Sequence, residues 1–176
     1  NSQSAKGTGQ TGRLLRDAIL ALPEAQMAGT VAAYYSIDTE PSTRGLVYAL
    51  WKRGTYVLLP VLRSDGNLDW ASYEGPESMA MASHGLLEPA QAQVRHALAS
   101  ADLVVVPALA ADRRGNRLGR GRGYYDRALT GVGPLIPTIV LLYDGELLDD
   151  VPSGPLDHPV RMAAQPTAGL TRLTPP

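Results

Sequence analysis

A stretch rich in glycine and arginine, residues 117–127, carries the residue types best suited to binding an anion. Glycine stands at positions 119, 121 and 123, where a backbone without a Cβ can adopt positive φ and bring its N–H groups close to a ligand. The arginines in and around it are Arg113, Arg114, Arg117, Arg120, Arg122 and Arg127. Because the net charge of the whole chain is only −1, this positive charge is local. It predicts a site for a nucleotide or another polyanionic small molecule.

The segments on either side of this stretch are typical of a phosphate site. Residues 102–107 form an apolar run that predicts a strand, and a helix is predicted to begin near Gly123, where unpaired N–H groups favour anions. The glycine spacing differs from the dinucleotide fingerprint, because Tyr124 stands where a third glycine would fall, and no Gly-Lys-Ser/Thr of a P-loop follows. A solvated loop therefore remains the alternative interpretation.

Two carboxylates outside this stretch are candidates for ligand contacts. Glu40 follows a predicted buried strand, which places it to meet a ligand, although a carboxylate near a helix N-terminus also stabilises the fold by about 0.3–1 kcal/mol. Asp157 lies in a loop rich in proline and glycine, where an Asx-type turn is the alternative.

The composition limits the class of protein. A length of 176 residues fits one domain, and we expect residues 1–12, rich in Gly, Ser, Thr and Gln, to be a mobile arm before a domain formed by residues 13–176. With no cysteine, disulfides, thiolate metal sites and a cysteine nucleophile are excluded. We expect a cytoplasmic protein without a membrane partner, since no apolar run approaches the ~20 residues of a membrane span and residues 1–6 lack a secretory core.

Apolar periodicity predicts an alternation of helices and strands. Strands are predicted at 30–35, 55–62, 67–73, 102–107 and 137–143, and helices at 14–22, 43–53, 89–101 and 124–130. Strands that are apolar on both faces favour an α/β fold with a mainly parallel sheet between helices. Ligands bind beyond the carboxyl ends of such strands, so residues 36–43 and the loop that begins at Arg117 are predicted to share one crevice.

The run Gly-x-Gly-x-Gly-Tyr-Tyr-Asp-Arg after Arg-Leu resembles the signature of the 5-formyltetrahydrofolate cyclo-ligase (methenyltetrahydrofolate synthetase) family. Other blocks that resemble this family follow the same order over roughly residues 31 to 170: Tyr-x-Ser-x-x-x-Glu-Pro-x-Thr from Tyr34, residues 84–89, residues 102–108, and Val151-Pro152 with residues 157–160. Two features depart from the family. Arg161 replaces an acidic residue, and the basic N-terminal helix of the family is not recognisable, which leaves Lys6, Arg13 and Arg16 as candidates for its role.

The resemblance implies an ATP- and Mg²⁺-dependent enzyme that converts 5-formyltetrahydrofolate to 5,10-methenyltetrahydrofolate with release of ADP and phosphate. It also implies a single-domain, three-layer, Rossmann-like fold of the kind found in sugar-phosphate isomerases and CoA transferases. We expect small-molecule partners only, no nucleic acid, and a monomer or weak dimer. The alternatives are a non-catalytic member that binds nucleotides or RNA, and a phosphate-ester enzyme such as a sugar-phosphate isomerase.

Site residues follow from the resemblance by position. The implied catalytic residues are Arg120, Tyr124 and Asp126. The implied folate contacts are Ser36, Glu40, Arg120, Gly121, Arg122, Gly123 and Tyr124, with Thr43 in the same block and the pterin ring against Tyr124 or Trp70. The implied ATP contacts are Arg117, Leu118, Gly119, Arg120, Gly121, Arg122, Gly123, Tyr124, Tyr125, Lys6 and Arg16. The implied metal ligands are Asp126 and Asp157.

Overall fold

The computed structural model of the protein describes residues 5–37, 39–82, 85–90, 94–154 and 157–176, with side chains from residue 9 onward. The helices in these residues are α1 Ala5–Leu20, α2 Pro23–Met27, α3 Arg44–Lys52 and α4 Tyr124–Leu129. The strands are β1 Thr30–Ala33, β2 Tyr56–Leu62, β3 Leu68–Ser72, β4 Met79–Met81, β5 Leu87–Pro89, β6 Leu103–Pro107, β7 Ala110–Asp112, β8 Arg117–Leu118, β9 Thr138–Leu141, β10 Leu147–Leu148, β11 Met162–Gln165 and β12 Gly169–Arg172.

A seven-stranded sheet runs through the molecule in the order β12-β11-β9-β6-β1-β2-β3. The five inner strands are parallel, and only the two edge strands, β3 and β12, are antiparallel to their neighbours. Strand β1 lies inside the sheet, with β2 on one side and β6 on the other. The chain therefore reverses its direction of travel across the sheet at β1, and such a switch point opens a crevice at the carboxyl ends of β1 and β6.

Side chains alternate between two apolar layers because successive residues of a strand point to opposite faces. Ile139 and Leu141 of β9 belong to the layer covered by α1, α2 and α3. Val140 between them belongs to the opposite layer, which is covered by α4, the loops and the smaller β-structure. This arrangement confirms the predicted three-layer α/β fold with a mainly parallel sheet.

The long apolar runs identified four of the five inner strands correctly. The predicted strands correspond to β1, β2, β3, β6 and β9, and the helix predicted at residues 124–130 corresponds to α4. Two strands of the main sheet, β11 and β12, were not predicted. Neither was the three-stranded sheet β10-β7-β8, whose strands have only two or three residues and so show little periodicity.

The helix predicted at residues 89–101 is wrong. Pro89 ends strand β5, the main chain of His96 donates to the Trp70 carbonyl at 2.8 Å, and only residues 98–100 form a short 3₁₀ turn; residues 91–93 lie outside the described residues. Of the residues that suggested an apolar helical face, Leu98 is buried, whereas Val94 is 64% exposed. The chain here follows the edge of β3 instead of forming a helix.

Helix α1 begins earlier than the composition predicts. Residues 5–12, expected in a mobile arm, belong to this helix. Glycine disfavours a helix interior, but at Gly12 it permits close packing, because an added Cβ would lie 3.1 Å from the Cβ of Ser42 just before α3. The packing of α1 against the chain at the start of α3 therefore includes Gly12, a residue that the composition placed in the mobile arm. No helix in the described residues is both long and apolar enough to cross a bilayer.

Candidate functional site

A cleft of about 1120 Å³ lies at the carboxyl ends of the parallel strands. Its walls come from the loop after β1, the end of β2, residues 107–109 at the end of β6, and Tyr143 after β9. The glycine- and arginine-rich stretch, residues 117–127, forms a further wall. The predicted crevice is therefore present, and both segments assigned to it line the same space.

Three glycines let the chain and two arginine side chains fold tightly at this wall. Gly121 and Gly123 have φ values of +91° and +71°, and Gly123 is the N-cap of α4. A Cβ at Gly119 would lie 2.9 Å from Nη1 of Arg117, and a Cβ at Gly123 would lie 2.9 Å from Nη1 of Arg127. Glycine is therefore favoured at positions 121 and 123 by the backbone conformation, whereas a Cβ at position 119 would require only the end of the Arg117 side chain to shift.

Arg117 is buried under the loop and paired with Asp126. Its Nη2 lies 3.0 Å from Oδ1 of Asp126, and its Nη1 donates to the Pro107 carbonyl at 3.1 Å. The Arg117 Nε has no partner in the described part of the chain. A buried guanidinium needs such compensation, so this arginine ties the end of β6 to α4.

Arg120 reaches across the cleft to the loop after β1. Its Nη2 donates to Oγ1 of Thr39 at 3.0 Å, and its Nε lies 3.9 Å from Oε2 of Glu40. The side chain of Arg120 is half exposed, whereas that of Glu40 is only 14% exposed. The basic loop and the acidic residue named by sequence thus face each other directly.

Glu40 is a partly buried carboxylate with a fixed orientation. Its Oε1 accepts a hydrogen bond from the Ile37 N–H at 2.9 Å. Burial raises the pKa of Glu40, although the Ile37 hydrogen bond and the charge of Arg120 act in the opposite direction. A carboxylate held in this way presents its second oxygen to the cleft and is suited to bind N–H donors.

A group of tyrosines and a second glutamate complete this end of the cleft, and sequence reasoning did not identify them. Tyr34, Tyr143 and Glu146 line the same space as Glu40. The Tyr143 hydroxyl donates to the Thr39 carbonyl at 3.1 Å, and that of Tyr34 donates to a main-chain carbonyl at 2.8 Å. Burial and the nearby carboxylates raise the pKa of Tyr34 well above its ordinary value. The available signal was position, because Tyr34 and Tyr143 stand at the carboxyl ends of the predicted strands 30–35 and 137–143, and Glu146 follows the second of these.

Asp126 and Asp157, the carboxylates implied for a metal, both line the cleft. The main-chain N–H of His158, next to Asp157, approaches Oδ1 of Asp126 at 3.5 Å, so the two segments are in contact. Oδ2 of Asp157 accepts a hydrogen bond from the Gly154 N–H at 2.7 Å, as the turn interpretation expects.

No three His, Cys, Asp or Glu side chains within the described ranges form a metal cage. Mg²⁺ bound with a nucleotide uses one or two carboxylates and takes its remaining ligands from water and phosphate. The two aspartates at the cleft therefore fit such an ion.

Several implied contacts point elsewhere in this structure. Ser36 and Thr43 are buried and bond to each other: the Ser36 N–H donates to Oγ1 of Thr43 at 3.0 Å, and the Thr43 N–H donates to Oγ of Ser36 at 3.1 Å. Trp70 is 2% exposed and packs edge-on against Tyr125, so it is unavailable to a pterin ring. Each of these residues supports the cleft from behind instead of lining it.

Of the N-terminal candidates, Arg16 is not part of the described cleft wall. Arg16 pairs with the neighbouring Asp17 at 3.0 Å and packs near Gly45 of α3, and it is not among the residues that line the cleft. Lys6 lies in the first turns of α1, and its side chain falls outside the described residues. A role of either residue in ATP binding remains a prediction.

Asp112 supports the site from inside the protein. Its carboxylate is fully buried and accepts four hydrogen bonds, from the main chain of Arg114, Asn116 and Val151 and from the Asn116 side chain, each at 3.0 Å. Burial alone would raise the pKa of Asp112, but these hydrogen bonds outweigh it and hold the pKa below its ordinary value. The turn before the glycine loop is thereby joined to the segment that leads to Asp157.

The sequence model of the 5-formyltetrahydrofolate cyclo-ligase family matches residues 1–166 of the chain. A Mycolicibacterium smegmatis protein named 5-formyltetrahydrofolate cyclo-ligase is 38% identical over 150 residues, which cover 82% of this chain and 77% of that protein. The Escherichia coli protein of the same name is 38% identical over 115 residues, 63% of each chain. A solved structure of Aquifex aeolicus 5,10-methenyltetrahydrofolate synthetase superimposes with a TM-score of 0.83 at 25% identity, covering 97% of this chain and 84% of that one.

Proposed function

The chain belongs to the 5-formyltetrahydrofolate cyclo-ligase family, and we propose that it converts 5-formyltetrahydrofolate to 5,10-methenyltetrahydrofolate with consumption of ATP and release of ADP and phosphate. The observation that carries this proposal is the shared cleft, in which an arginine-rich glycine loop faces the partly buried carboxylate of Glu40. Such a space offers opposite charges to the two substrates: cations for the triphosphate and an acceptor for the N–H groups of the reduced pterin.

The proposed reaction has two steps. The formyl oxygen attacks the terminal phosphorus of ATP, the bond to ADP breaks, and the formyl oxygen becomes part of a phosphate leaving group. Nitrogen 10 of the folate then attacks the activated carbon and loses its proton, and inorganic phosphate departs. The ring closes without oxidation or reduction, so the protein has to position two substrates and stabilise developing charge.

The glycine loop supports binding of the phosphates in this proposal. Gly121 and Gly123 adopt backbone conformations that only glycine readily takes, next to the half-exposed guanidinium of Arg120. Arg122 is exposed on the same wall and lines the cleft. Preorganised donors of this kind stabilise charge that develops on transferring phosphoryl oxygens.

Glu40 and Tyr124 would hold the folate. Glu40 presents a carboxylate oxygen beside Arg120, where it can accept from pterin N–H groups. Tyr124 lines the cleft, and the guanidinium carbon of Arg127 stacks over its ring at 5.6 Å from the centroid. An aromatic ring held in this way offers a flat surface on which a pterin can pack.

Asp126 and Asp157 would hold Mg²⁺, and a bound Mg²⁺ would neutralise negative charge on the ATP phosphates. Asp126 also has a second role that needs no metal, since it is the counter-ion of buried Arg117. The neighbouring contact between His158 and Asp126 keeps the segment of Asp157 against α4.

The proposal is tested by mixing the protein with 5-formyltetrahydrofolate, ATP and Mg²⁺ and following the absorbance of the methenyl product. Product should appear together with one inorganic phosphate per turnover, and omission of ATP should abolish both signals. ATP hydrolysis without methenyl product, at any folate concentration, would contradict the proposed reaction. Salt-dependent binding of RNA with neither signal would favour the non-catalytic alternative.

A further inference from the structure

Glu146 is a carboxylate of the cleft that has no role in the proposed reaction. It ends the turn Tyr143–Glu146 after β9, and its side chain is partly buried and lines the cleft. The turn is held by a hydrogen bond from the Glu146 N–H to the Tyr143 carbonyl at 3.2 Å, and Gly145 supplies a positive φ of +88°. The conformation of the turn thus fixes the main-chain position from which the Glu146 side chain extends.

The two oxygens of the Glu146 carboxylate differ in their surroundings. Oε1 accepts a hydrogen bond from the Tyr143 N–H at 2.7 Å. Within the described residues no donor or cation lies within bonding distance of Oε2. Burial raises the pKa of Glu146 above its ordinary value, against the effect of the Tyr143 hydrogen bond. A partly buried carboxylate with one unused oxygen is suited to accept hydrogen bonds from a ligand.

Glu40 has the same construction but a different neighbour. Each glutamate accepts a main-chain N–H from the residue three positions earlier, Ile37 for Glu40 and Tyr143 for Glu146. Glu40 lies within ion-pair distance of Arg120, whereas Glu146 has no ion pair among the described residues. Both raise the pKa of Tyr34 through their charge, so both act on the same region of the cleft.

A second observation indicates that this end of the cleft accepts a polar ligand. The hydroxyl of Tyr125 is buried and has no hydrogen-bond partner in the described residues, although Tyr125 lines the cleft. Burial raises the pKa of Tyr125, and the charge of Glu40 adds to this effect, which places the Tyr125 hydroxyl near the Glu40 carboxylate. An unpaired buried hydroxyl costs free energy that a bound hydrogen-bonding group recovers.

A ligand that suits these groups offers hydrogen-bond donors and carries no negative charge beside the two carboxylates. A phosphate would be repelled by two carboxylates, whereas the 2-amino-4-oxopyrimidine edge of a reduced pterin presents two adjacent N–H donors to one carboxylate. We propose that Glu146 is a second specificity-determining residue for the folate and accepts from the 2-amino group of the pterin, while Glu40 serves another N–H edge. This inference rests on the proposed function, because it assumes a folate substrate.

Glu146→Gln tests this assignment without removing the support of the turn. The glutamine oxygen can still accept from the Tyr143 N–H, but the unused oxygen becomes an amide donor that opposes the pterin N–H groups. Affinity for 5-formyltetrahydrofolate, measured by calorimetry without ATP, should fall about tenfold, the effect of one lost hydrogen bond to a charged group. The KM for ATP and the thermal midpoint should stay close to those of the wild type.

The sharper measurement uses 2-desamino-5-formyltetrahydrofolate. The wild type should bind this analogue about tenfold more weakly than the natural folate, whereas Glu146→Gln should bind the two ligands almost equally. Asp144→Asn is the matched control: Asp144 lies in the same turn, is exposed, and accepts the Thr167 N–H at 3.0 Å. It should leave both affinities unchanged.

The possible outcomes separate this inference from the proposed function. Equal affinity of the wild type and Glu146→Gln for the natural folate would overturn the role of Glu146 while leaving the reaction intact. The same discrimination against the 2-desamino analogue in both proteins would also overturn it. Folate binding that depends on Glu146, without methenyl product, would support the inference and contradict the reaction. A wild type that does not bind 5-formyltetrahydrofolate would overturn both.

Discussion

Nη2 of Arg117 lies 3.0 Å from Oδ1 of Asp126, and the two side chains are 5% and 24% exposed. The Arg117 guanidinium is therefore already neutralised by the protein, although the family resemblance implies that Arg117 contacts ATP. Removal of one member of a buried ion pair leaves the other uncompensated. Asp126 thus combines a structural role with its proposed role at the metal.

Replacement of Asp126 by Asn should lower both turnover and stability. The amide keeps the shape of the side chain but removes the charge that compensates Arg117 and would hold Mg²⁺. We expect a strong loss of rate at limiting Mg²⁺ and a loss of about 1–3 kcal/mol in the free energy of unfolding. Steady-state kinetics at several Mg²⁺ concentrations and urea denaturation measure the two effects.

Asp65→Asn is a matched control for this variant. Asp65 pairs with Arg63 at 2.9 Å on the exposed surface, where an ion pair contributes little. Its replacement should leave the rate and its Mg²⁺ dependence unchanged. If Asp126→Asn showed a normal rate at limiting Mg²⁺, Asp126 would not be a ligand of the metal.

Replacement of Glu40 by Gln should impair folate binding far more than ATP binding. The amide keeps an acceptor for the Ile37 N–H but places a donor where an acceptor is needed. A mismatch of this kind costs on the order of 1–3 kcal/mol. Calorimetry with each substrate measures the difference. Equal folate affinity of the wild type and the variant would contradict a folate contact and favour the alternative, in which Glu40 stabilises the fold near a helix N-terminus.

The arginines before and inside the glycine loop should differ in their effects. Arg120 faces the cleft, whereas Arg114 pairs with Asp150 at the surface. Arg120→Ala should raise the KM for ATP and slow phosphoryl transfer, while the double replacement of Arg113 and Arg114 by Ala should leave kinetics almost unchanged, since exposed charges are screened. If the double replacement impaired the use of ATP and Arg120→Ala did not, the phosphates would have to bind beside Arg113 and Arg114 instead of the glycine loop.

Asp112→Asn should destabilise the protein in a pH-dependent way. An amide oxygen can accept from only some of the four donors around Asp112, at a cost of about 1–3 kcal/mol for each donor left unpaired. Because folding lowers the pKa of Asp112, its contribution to stability is complete above the ordinary value of 3.8 and is lost as the pH falls through the lower folded pKa.

Urea denaturation of wild type and Asp112→Asn at several pH values measures this effect. The difference in unfolding free energy should be constant near neutral pH and should narrow below about pH 4. A difference that stays the same down to pH 2 would show that the charge of Asp112 does not contribute.

The main features of the sheet were predictable because inner strands of a parallel sheet are apolar on both faces. The predicted run at 137–143 contains β9, and positions after such strands identified Glu40 correctly as a residue of the cleft. The apolar spacing of residues 89–101 was misleading, since apolar residues at helical intervals also occur in chain that follows a sheet edge. Hydrogen bonds such as that from His96 to Trp70 join positions distant in sequence and leave no local pattern.

The site was harder to predict in its details. Ser36 matched the family block by position, but its hydroxyl accepts from the Thr43 N–H, a pairing decided by how the loop closes. Glu146 gave no signal by residue type, because a glutamate in a turn is usually solvated. Only the packing of the loop after β9 against the loop after β1, through Tyr143 and Thr39, brings it into the cleft.

The contacts of Arg120 with Thr39 and Glu40 predict that the two proposed substrates would influence each other's binding. A phosphate that takes the N–H groups of Arg120 competes with Thr39 and Glu40 for them and frees Glu40 to accept from the pterin. The energetic coupling is reciprocal, so the factor by which ATP changes folate affinity equals the factor by which folate changes ATP affinity. The Arg120 side chain would thus couple the two binding equilibria, and the change in folate affinity on addition of ATP measures that coupling.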